Sequence, residues 1–235
     1  RMTETTLQIA NTPGQKVVIG SMGRPLPGMD VTLLDPLTGQ EAEEGEICLR
    51  LDPRPVGLLK SYYGNQEKTD EVFRDGVFHT GDIARRDENG VLTYVGRADD
   101  VFKSSDYKVS PFELESVLIE HPAVAEAAVV GMPHDLKGQG IYAYVTLNAN
   151  AEPSEELRKE LVQWVRREIG PIATPDILQF APALPKTRSG KIMRRILRKI
   201  AENQLDQLGD TSTLADPAVV DALIAGREEA TSVLA

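Results

Sequence analysis

Pro185-Lys-Thr-Arg-Ser-Gly-Lys-Ile-Met-Arg-Arg195 is the stretch from which the rest of the chain is read, and Lys191 stands at its centre. Ser189 and Gly190 predict a turn, since glycine adopts backbone angles that other residues avoid. After it, Ile192, Ile196, Leu197 and Ile200 recur at helical spacing. One apolar stripe is therefore expected to pin a helix to a core, with Arg194, Arg195, Arg198 and Lys199 on its solvent side. Lys191 is expected on a mobile loop near the helix start, where an ammonium can enter a site and be withdrawn. A solvated basic face on an acidic protein accounts for the same residues. The stretch is not a phosphate-binding G-x-x-x-x-G-K-[ST] loop, because Pro185 stands where its first glycine belongs.

Upstream of this turn the chain changes character once. From Val17 to Gly96 the signals are those of strands. Val17-Val-Ile19 is β-branched, Asp30–Leu34 and Gly45–Leu51 alternate, and Asp35-Pro-Leu-Thr-Gly39 is a turn. Gly76–Phe78 and Val91–Val95 flank Asp87-Glu-Asn-Gly90, a hairpin signal. A small antiparallel barrel or sandwich is expected, interrupted by one short helix near Glu67–Phe73. Beyond about residues 98–100, helices and strands alternate. Ser110-Pro-Phe-Glu113 reads as a capped helix start, running to His121-Pro122. Val124–Gly131, Ile141–Leu147 and Ile177–Phe180 read as strands. Ser154–Ile169 is an amphipathic helix with Leu157, Leu161, Trp164 and Val165 on one face. Asp216-Pro217 caps a terminal helix to Ala225. The expected fold is thus mixed: a β-barrel-like region over 1–98, then an α+β domain over 99–235 with about three strands and flanking helices.

Composition narrows the function classes. The net charge of −10 argues against nucleic acid or an anionic membrane surface as the main partner. No apolar run reaches the length of a membrane span, and the start lacks the basic-then-apolar pattern of a secretory signal. A single cysteine, Cys48, excludes an internal disulfide and a metal cluster held by several cysteines, and fits a reducing cytosol. The opening Arg1-Met2 followed at once by Thr-Glu-Thr-Thr reads as a cut or tagged piece.

Three further stretches join the lysine turn. Thr3-Glu4-Thr5 sets a carboxylate among hydroxyls, a set that can hold Mg²⁺ beside a nucleotide phosphate. Phe78-His-Thr-Gly-Asp82-Ile-Ala-Arg85 places a carboxylate beside a glycine at a strand end, where it can accept both hydroxyls of a ribose or simply close a turn. Gly96-Arg97-Ala-Asp99-Asp100, followed by Lys103-Ser-Ser-Asp106-Tyr-Lys108, reads either as a site flanked by a hinge or as a charged linker.

In this order and spacing the four stretches resemble the AMP-forming acyl-CoA synthetases of the adenylate-forming superfamily, in particular the acetyl-CoA synthetase-like members acting on short- or medium-chain acids. Trp164–Pro171, Pro185–Lys199 and Leu208–Pro217 look like the tail of those enzymes. The resemblance implies a ligase that forms an acyl-adenylate from a small carboxylate and ATP, then passes the acyl group to CoA as AMP leaves. It implies Lys191 as the catalytic cation of the first step and Asp99 as the hinge of a mobile C-terminal domain. Asp82 and Arg97 would bind the adenosine ribose, Thr3 and Lys108 the phosphate region, and Glu4 the Mg²⁺. Ser105, Asp106 and Arg166 would contact CoA. His121 falls where some members place a cation site, although a helix-end histidine before proline explains it equally. Lys191 is also a plausible target of a lysine acetyltransferase and deacetylase, which would delete its charge.

Two positions depart from the family pattern. Asp106 stands where glycine is common, adding a negative charge near an anionic cofactor. Lys108 replaces an arginine and loses its forked geometry. The phosphate loop and acyl pocket that the family places upstream are absent from these residues. The chain is therefore expected to be the C-terminal piece of a cytoplasmic synthetase, inactive without its N-terminal part. The rival readings are a carrier-protein-loading adenylation module and a non-enzymatic interaction fragment whose basic helix 191–200 docks an acidic surface.

Overall fold

The computed structural model describes residues 2–36 and 38–232, and the chain divides into two compact units between Asp99 and Asp100. Arg1, and Leu37 within the expected turn, lie outside the described residues; around Leu37 the Gly39 N–H donates to the Asp35 carbonyl at 2.8 Å.

The first unit is a curled antiparallel sheet with a small ribbon beside it. Its elements are β1 (Ile9–Ala10), β2 (Arg24–Pro25), β3 (Val31–Leu34), β4 (Glu44–Arg50), α1 (Gln66–Val72), β5 (Phe73–Arg74), β6 (Val77–Arg86) and β7 (Leu92–Arg97). β1 pairs with β2, and the main sheet runs β3-β4-β6. The far edge of β6 is shared: β5 pairs with Val77 and Phe78, and β7 with Asp82–Arg86. Leu33, Ile47, Leu49, Phe78 and Leu92 are each 1% exposed or less and fill the core. Gln66–Val72 is capped by Asn65, whose side chain accepts the Lys68 N–H.

The expected strand at Val17–Ile19 does not form. Those residues are exposed, Ile19 to 98%, between Gly14 and Gly20 at φ +87° and +81°. A three-residue β-branched run carries propensity but has no partner strand to supply ladder hydrogen bonds.

The second unit begins with a hairpin to which the sequence reading assigned no strands: β8 (Phe102–Ser104) and β9 (Tyr107–Val109). Then follow α2 (Pro111–Ile119), β10 (Val124–His134), β11 (Gly138–Leu147), α3 (Glu155–Glu168), β12 (Ile177–Phe180), α4 (Arg194–Ala201) and α5 (Ala218–Ser232). β10 and β11 are antiparallel; β12 is parallel to β11, which the crossover helix α3 makes possible. Alternation decides what each face meets. Ala128, Val130, Tyr142 and Tyr144 cluster with Ile196, Leu197, Ile200 and Leu223 of α4 and α5. Val129, Ile141, Ala143 and Val145 cluster with Leu114, Leu118, Leu161 and Val165 of α2 and α3. The predicted Ser110 cap is present, accepting from Glu113 N, and Ser154 caps α3 by accepting from Leu157 N.

The helix after the lysine turn departs from expectation in two ways. It starts only at Arg194, with no side-chain cap at Met193. Its cations are not simply solvated. Arg194 pairs with Glu115, Arg198 with Asp100, and Arg195 donates to the carbonyls of Leu208 and Asp210. An arginine on the polar side of a short helix finds the carboxylates and open carbonyls of neighbouring elements, which a one-helix pattern cannot reveal. Ile196, Leu197 and Ile200 are fully buried, each worth roughly 1.5–3 kcal/mol of burial. α5 also continues past Ala225 to Ser232.

Candidate functional site

In the first unit the site is built on a break in the ladder. Cys48 pairs with His79 and Glu46 with Ile83, so two residue steps on β4 are matched by four on β6. Thr80-Gly81-Asp82 therefore stand opposite Ile47 alone, and the two extra residues make the strand bulge. Three bonds fix its shape. Thr80 Oγ1 donates to the Ile47 carbonyl at 2.7 Å, Gly81 N–H donates to Glu46 Oε1 at 2.8 Å, and Asp82 N–H donates to Thr80 Oγ1 at 3.1 Å. Glycine suits the centre. Its φ is +74°, and a Cβ there would lie 2.5 Å from the guanidinium of Arg97.

Arg97 lies across this bulge. It donates to the Thr80 carbonyl at 3.1 Å, to Asp82 Oδ1 at 3.2 Å and to Asp99 Oδ1 at 3.1 Å. Burial lifts the Asp82 carboxyl above the usual carboxylate range, with Arg97 pulling the other way. The nearby cleft has a volume of about 460 Å³, and Glu4, Tyr62, His79, Gly81, Arg97 and Asp99 are among its lining residues. Glu4 Oε1 accepts the Tyr62 hydroxyl at 3.1 Å; burial, and then that carboxylate, raise the phenol above its ordinary pKa. Thr3 is exposed in a turn closed by Met2 N–H to the Thr6 carbonyl, and it is not among the residues lining the cleft. The structure therefore brings Glu4, Arg97 and Asp99 to one cleft, with Asp82 hydrogen-bonded to Arg97; Asp82 and Thr3 are not among its lining residues.

The predicted residues of the second unit sit on separate elements. Lys191 is exposed at the end of a small hydrogen-bonded turn. Gly190 N–H donates to the Thr187 carbonyl at 2.8 Å, Thr187 N–H to the Lys191 carbonyl at 2.9 Å, and Met193 N–H to the Pro185 carbonyl at 2.8 Å. The turn read at Ser189-Gly190 is thus present, with Lys191 at its end. Ser105 and Asp106 form the tip of the β8–β9 hairpin with φ of +49° and +67°, the geometry of a type I′ turn. A glycine would sit at position 106 without strain, which is a physical reason for glycine in the resembled pattern. Lys108 borders a hollow of about 190 Å³ with Ser110 and residues 169–173. Arg166 is exposed in the last turns of α3.

His121 is 7% exposed, and both ring nitrogens are engaged: Nδ1 accepts the Ala123 N–H at 3.2 Å and Nε2 lies 3.4 Å from Glu160. Its ring packs edge-on against Trp164. This is the geometry of a helix-end histidine.

Sequence reading missed two buried groups. Glu46 holds Gly81 and also accepts from His79 Nδ1 at 2.8 Å. Its clue was parity, since Glu46 shares a strand face with Cys48. Glu115 accepts the Val129 N–H at 2.9 Å and pairs with Arg194 at 2.6 Å; burial raises its carboxyl above the ordinary range despite that arginine. Asp100 binds Arg194 and Arg198, so the residue after Asp99 is tied to α4.

Comparison with known proteins places these features. Residues 113–191 match the family described as the AMP-binding enzyme C-terminal domain. The chain is 55% identical over 216 residues to the acetyl-coenzyme A synthetase of Syntrophobacter fumaroxidans, covering 91% of this chain and 33% of that protein. It is 58% identical over 212 residues to that of Xanthomonas oryzae pv. oryzae, covering 87% of this chain and 32% of the relative. Among solved structures, ATP-bound MatB from Rhodopseudomonas palustris superposes with a TM-score of 0.77 at 31% identity, over 87% of this chain and 40% of that one. The anthranilate CoA ligase AuaEII in complex with anthranoyl-AMP gives 0.78 at 33% identity, over 88% and 40%. The chain spans about a third of the length of the curated relatives it matches.

Proposed function

The chain belongs to the AMP-forming synthetases, whose C-terminal domain it carries, and from that premise we propose that it supplies the nucleotide-ribose bulge and the lysine-bearing lobe of an ATP-dependent acid–CoA ligase acting on a small, acetate-like carboxylate. The observation that carries this reading is Arg97 bridging Asp82 and Asp99 over Gly81 at the edge of the cleft. Asp82 accepts the ribose hydroxyls, and Arg97 orients it. Asp99 is the pivot at the division between the units.

The reaction has two halves. The carboxylate attacks the α-phosphorus of ATP, forming the acyl–phosphate bond and breaking the bond to pyrophosphate. Negative charge accumulates on the phosphoryl oxygens, and the Lys191 ammonium is the cation that offsets it in this reading. The CoA thiol then attacks the acyl carbon, loses its proton and expels AMP; Lys191 is not needed there. Thr3 and Lys108 serve the phosphates, while Ser105, Asp106 and Arg166 border the CoA path. Mg²⁺ fits the oxygen donors present: Glu4 presents a carboxylate to the cleft, the hard ligand that ion takes. When bound, the ion neutralises triphosphate charge. The acyl pocket lies on residues outside this chain, and acetylation of Lys191 would switch off the first half-reaction.

The test separates the halves. In the full-length polypeptide, Lys191→Ala is expected to abolish pyrophosphate exchange into ATP while preserving thioester formation from supplied acyl-adenylate. Acyl-CoA formation by the 235-residue chain alone would count against the division of labour proposed here.

A further inference from the structure

Behind the ribose bulge lies a group of side chains that the proposed reaction does not use. Glu46, Cys48 and His79 are all buried, and one ligand atom from each lies within 4.8 Å of the others. We propose that these three residues form a binding site for a thiophilic divalent cation of the Zn²⁺ class, entered from the cleft that Glu46 and His79 line.

The donor set is one sulfur, one imidazole nitrogen and one carboxylate oxygen, the combination that zinc and cobalt(II) take and magnesium does not. The spacing agrees with it. Bonds of about 2.3 Å to sulfur and about 2.0 Å to nitrogen, at a tetrahedral angle, set the two ligand atoms about 3.5 Å apart. Cys48 Sγ and His79 Nδ1 are 3.5 Å apart. Glu46 Oε2 and Nδ1 are closer, at 2.8 Å, because a hydrogen bond joins them; an ion would open that gap by about half an ångström.

His79 itself points to an unfilled centre. Its Nδ1 is approached by Glu46 Oε2, by Arg74 Nη2 at 3.1 Å and by Cys48 Sγ, three neighbours for a nitrogen with one in-plane bond to make. The carboxylate is already oriented from outside the set, since Oε1 accepts the Gly81 N–H.

The charges that face this centre are Glu46 and Arg74. The Arg74 side chain is 47% exposed and lies 3.9 Å from Glu46 Oε2, so the ion competes with a guanidinium that can swing into solvent. Binding forms the sulfur–metal bond as the Cys48 proton passes to solvent; no oxidation or reduction occurs. The ion, the thiolate and the Glu46 carboxylate then sum to zero charge. The site stands independently of the proposed ligase reaction.

Because Cys48 is the only cysteine, any thiolate–metal signal reports on it. The experiment titrates Co²⁺ into the reduced 235-residue chain at neutral pH and follows sulfur-to-cobalt charge-transfer absorption. The expected result is one equivalent bound with that band present. Cys48→Ser should abolish the band, His79→Gln should weaken binding at least about tenfold, and Arg74→Ala should tighten it. Should a buried variant fail to fold, X-ray absorption of the wild-type chain loaded with one equivalent of Zn²⁺ decides: one sulfur at about 2.3 Å is expected. A shell of oxygen and nitrogen only, no charge-transfer band at millimolar Co²⁺, or weaker binding in Arg74→Ala would overturn the proposal.

Discussion

Glu46 Oε1 accepts the backbone N–H of Gly81 at 2.8 Å, so a buried carboxylate on β4 sets the shape of the bulge that presents Asp82 from β6. Glu46→Ala leaves the Gly81 amide without its partner and His79 without its carboxylate. Losing a charged acceptor in a buried setting costs about 1–3 kcal/mol. Chemical denaturation should show a loss of that size; a change below about 0.5 kcal/mol would mean that the bulge holds its shape unaided.

Gly81→Ala tests the close approach of Arg97. The added methyl would stand 2.5 Å from Nη2 at a φ of +74°, so the guanidinium must move away from Asp82. AMP binding to the full-length polypeptide, followed calorimetrically, should weaken at least about tenfold, equivalent to roughly 1.4 kcal/mol. Unchanged affinity would separate Arg97 from the ribose.

The Glu115–Arg194 pair anchors α4, the helix that follows the lysine turn. Arg194→Met removes one partner and strands the buried Glu115 carboxylate, at an expected cost of about 3 kcal/mol measured by urea denaturation. The pair also gives a pH signature. Burial raises the folded-state pKa of Glu115, so the folded chain holds this proton more tightly than the unfolded chain does. That contribution is complete below the ordinary glutamate value of about 4.3 and is lost as pH rises through the raised folded value. The stability difference between wild type and Glu115→Gln should therefore shift against wild type as pH climbs from 4 upward. A difference that is flat across that range would contradict the assignment.

Asp106 occupies a left-handed position at the hairpin tip, with φ of +67°. Asp106→Gly relieves it, and thermal unfolding should show a stabilisation of up to about 1 kcal/mol. CoA affinity in the full-length polypeptide should rise as well, since a carboxylate leaves the path of an anionic ligand. A destabilised variant would show that Asp106 makes a contact worth more than the strain.

Much of this fold was legible where local chemistry and pattern agree. Ser110 caps the helix it was read to cap, because serine, then proline, then glutamate at the third position before a helical apolar pattern has one dominant local solution. Strands β10, β11 and β12 showed as apolar runs bounded by turns, and the β6–β7 hairpin as the Asp87-Glu-Asn-Gly90 signal. What stayed hidden was pairing between distant strands. The Thr80-Gly81-Asp82 bulge exists only because β4 offers fewer residues than β6 over the same span, a fact of register. Glu46 and Glu115 read as ordinary charges until tertiary packing buried them. The Val17–Ile19 run failed for the opposite reason: its propensity was local, and no partner strand exists there to use it.

The central claim is that Lys191 offsets charge in the adenylation half-reaction alone. In the full-length polypeptide, its most direct test is Lys191→Ala measured in parallel for ATP–pyrophosphate exchange and for thioester formation from preformed acyl-adenylate. The account predicts loss of exchange by at least about a hundredfold, in the range one preorganised charge contributes, with thioester formation within a few-fold of wild type. Equal loss in both assays, or exchange left intact, would contradict it.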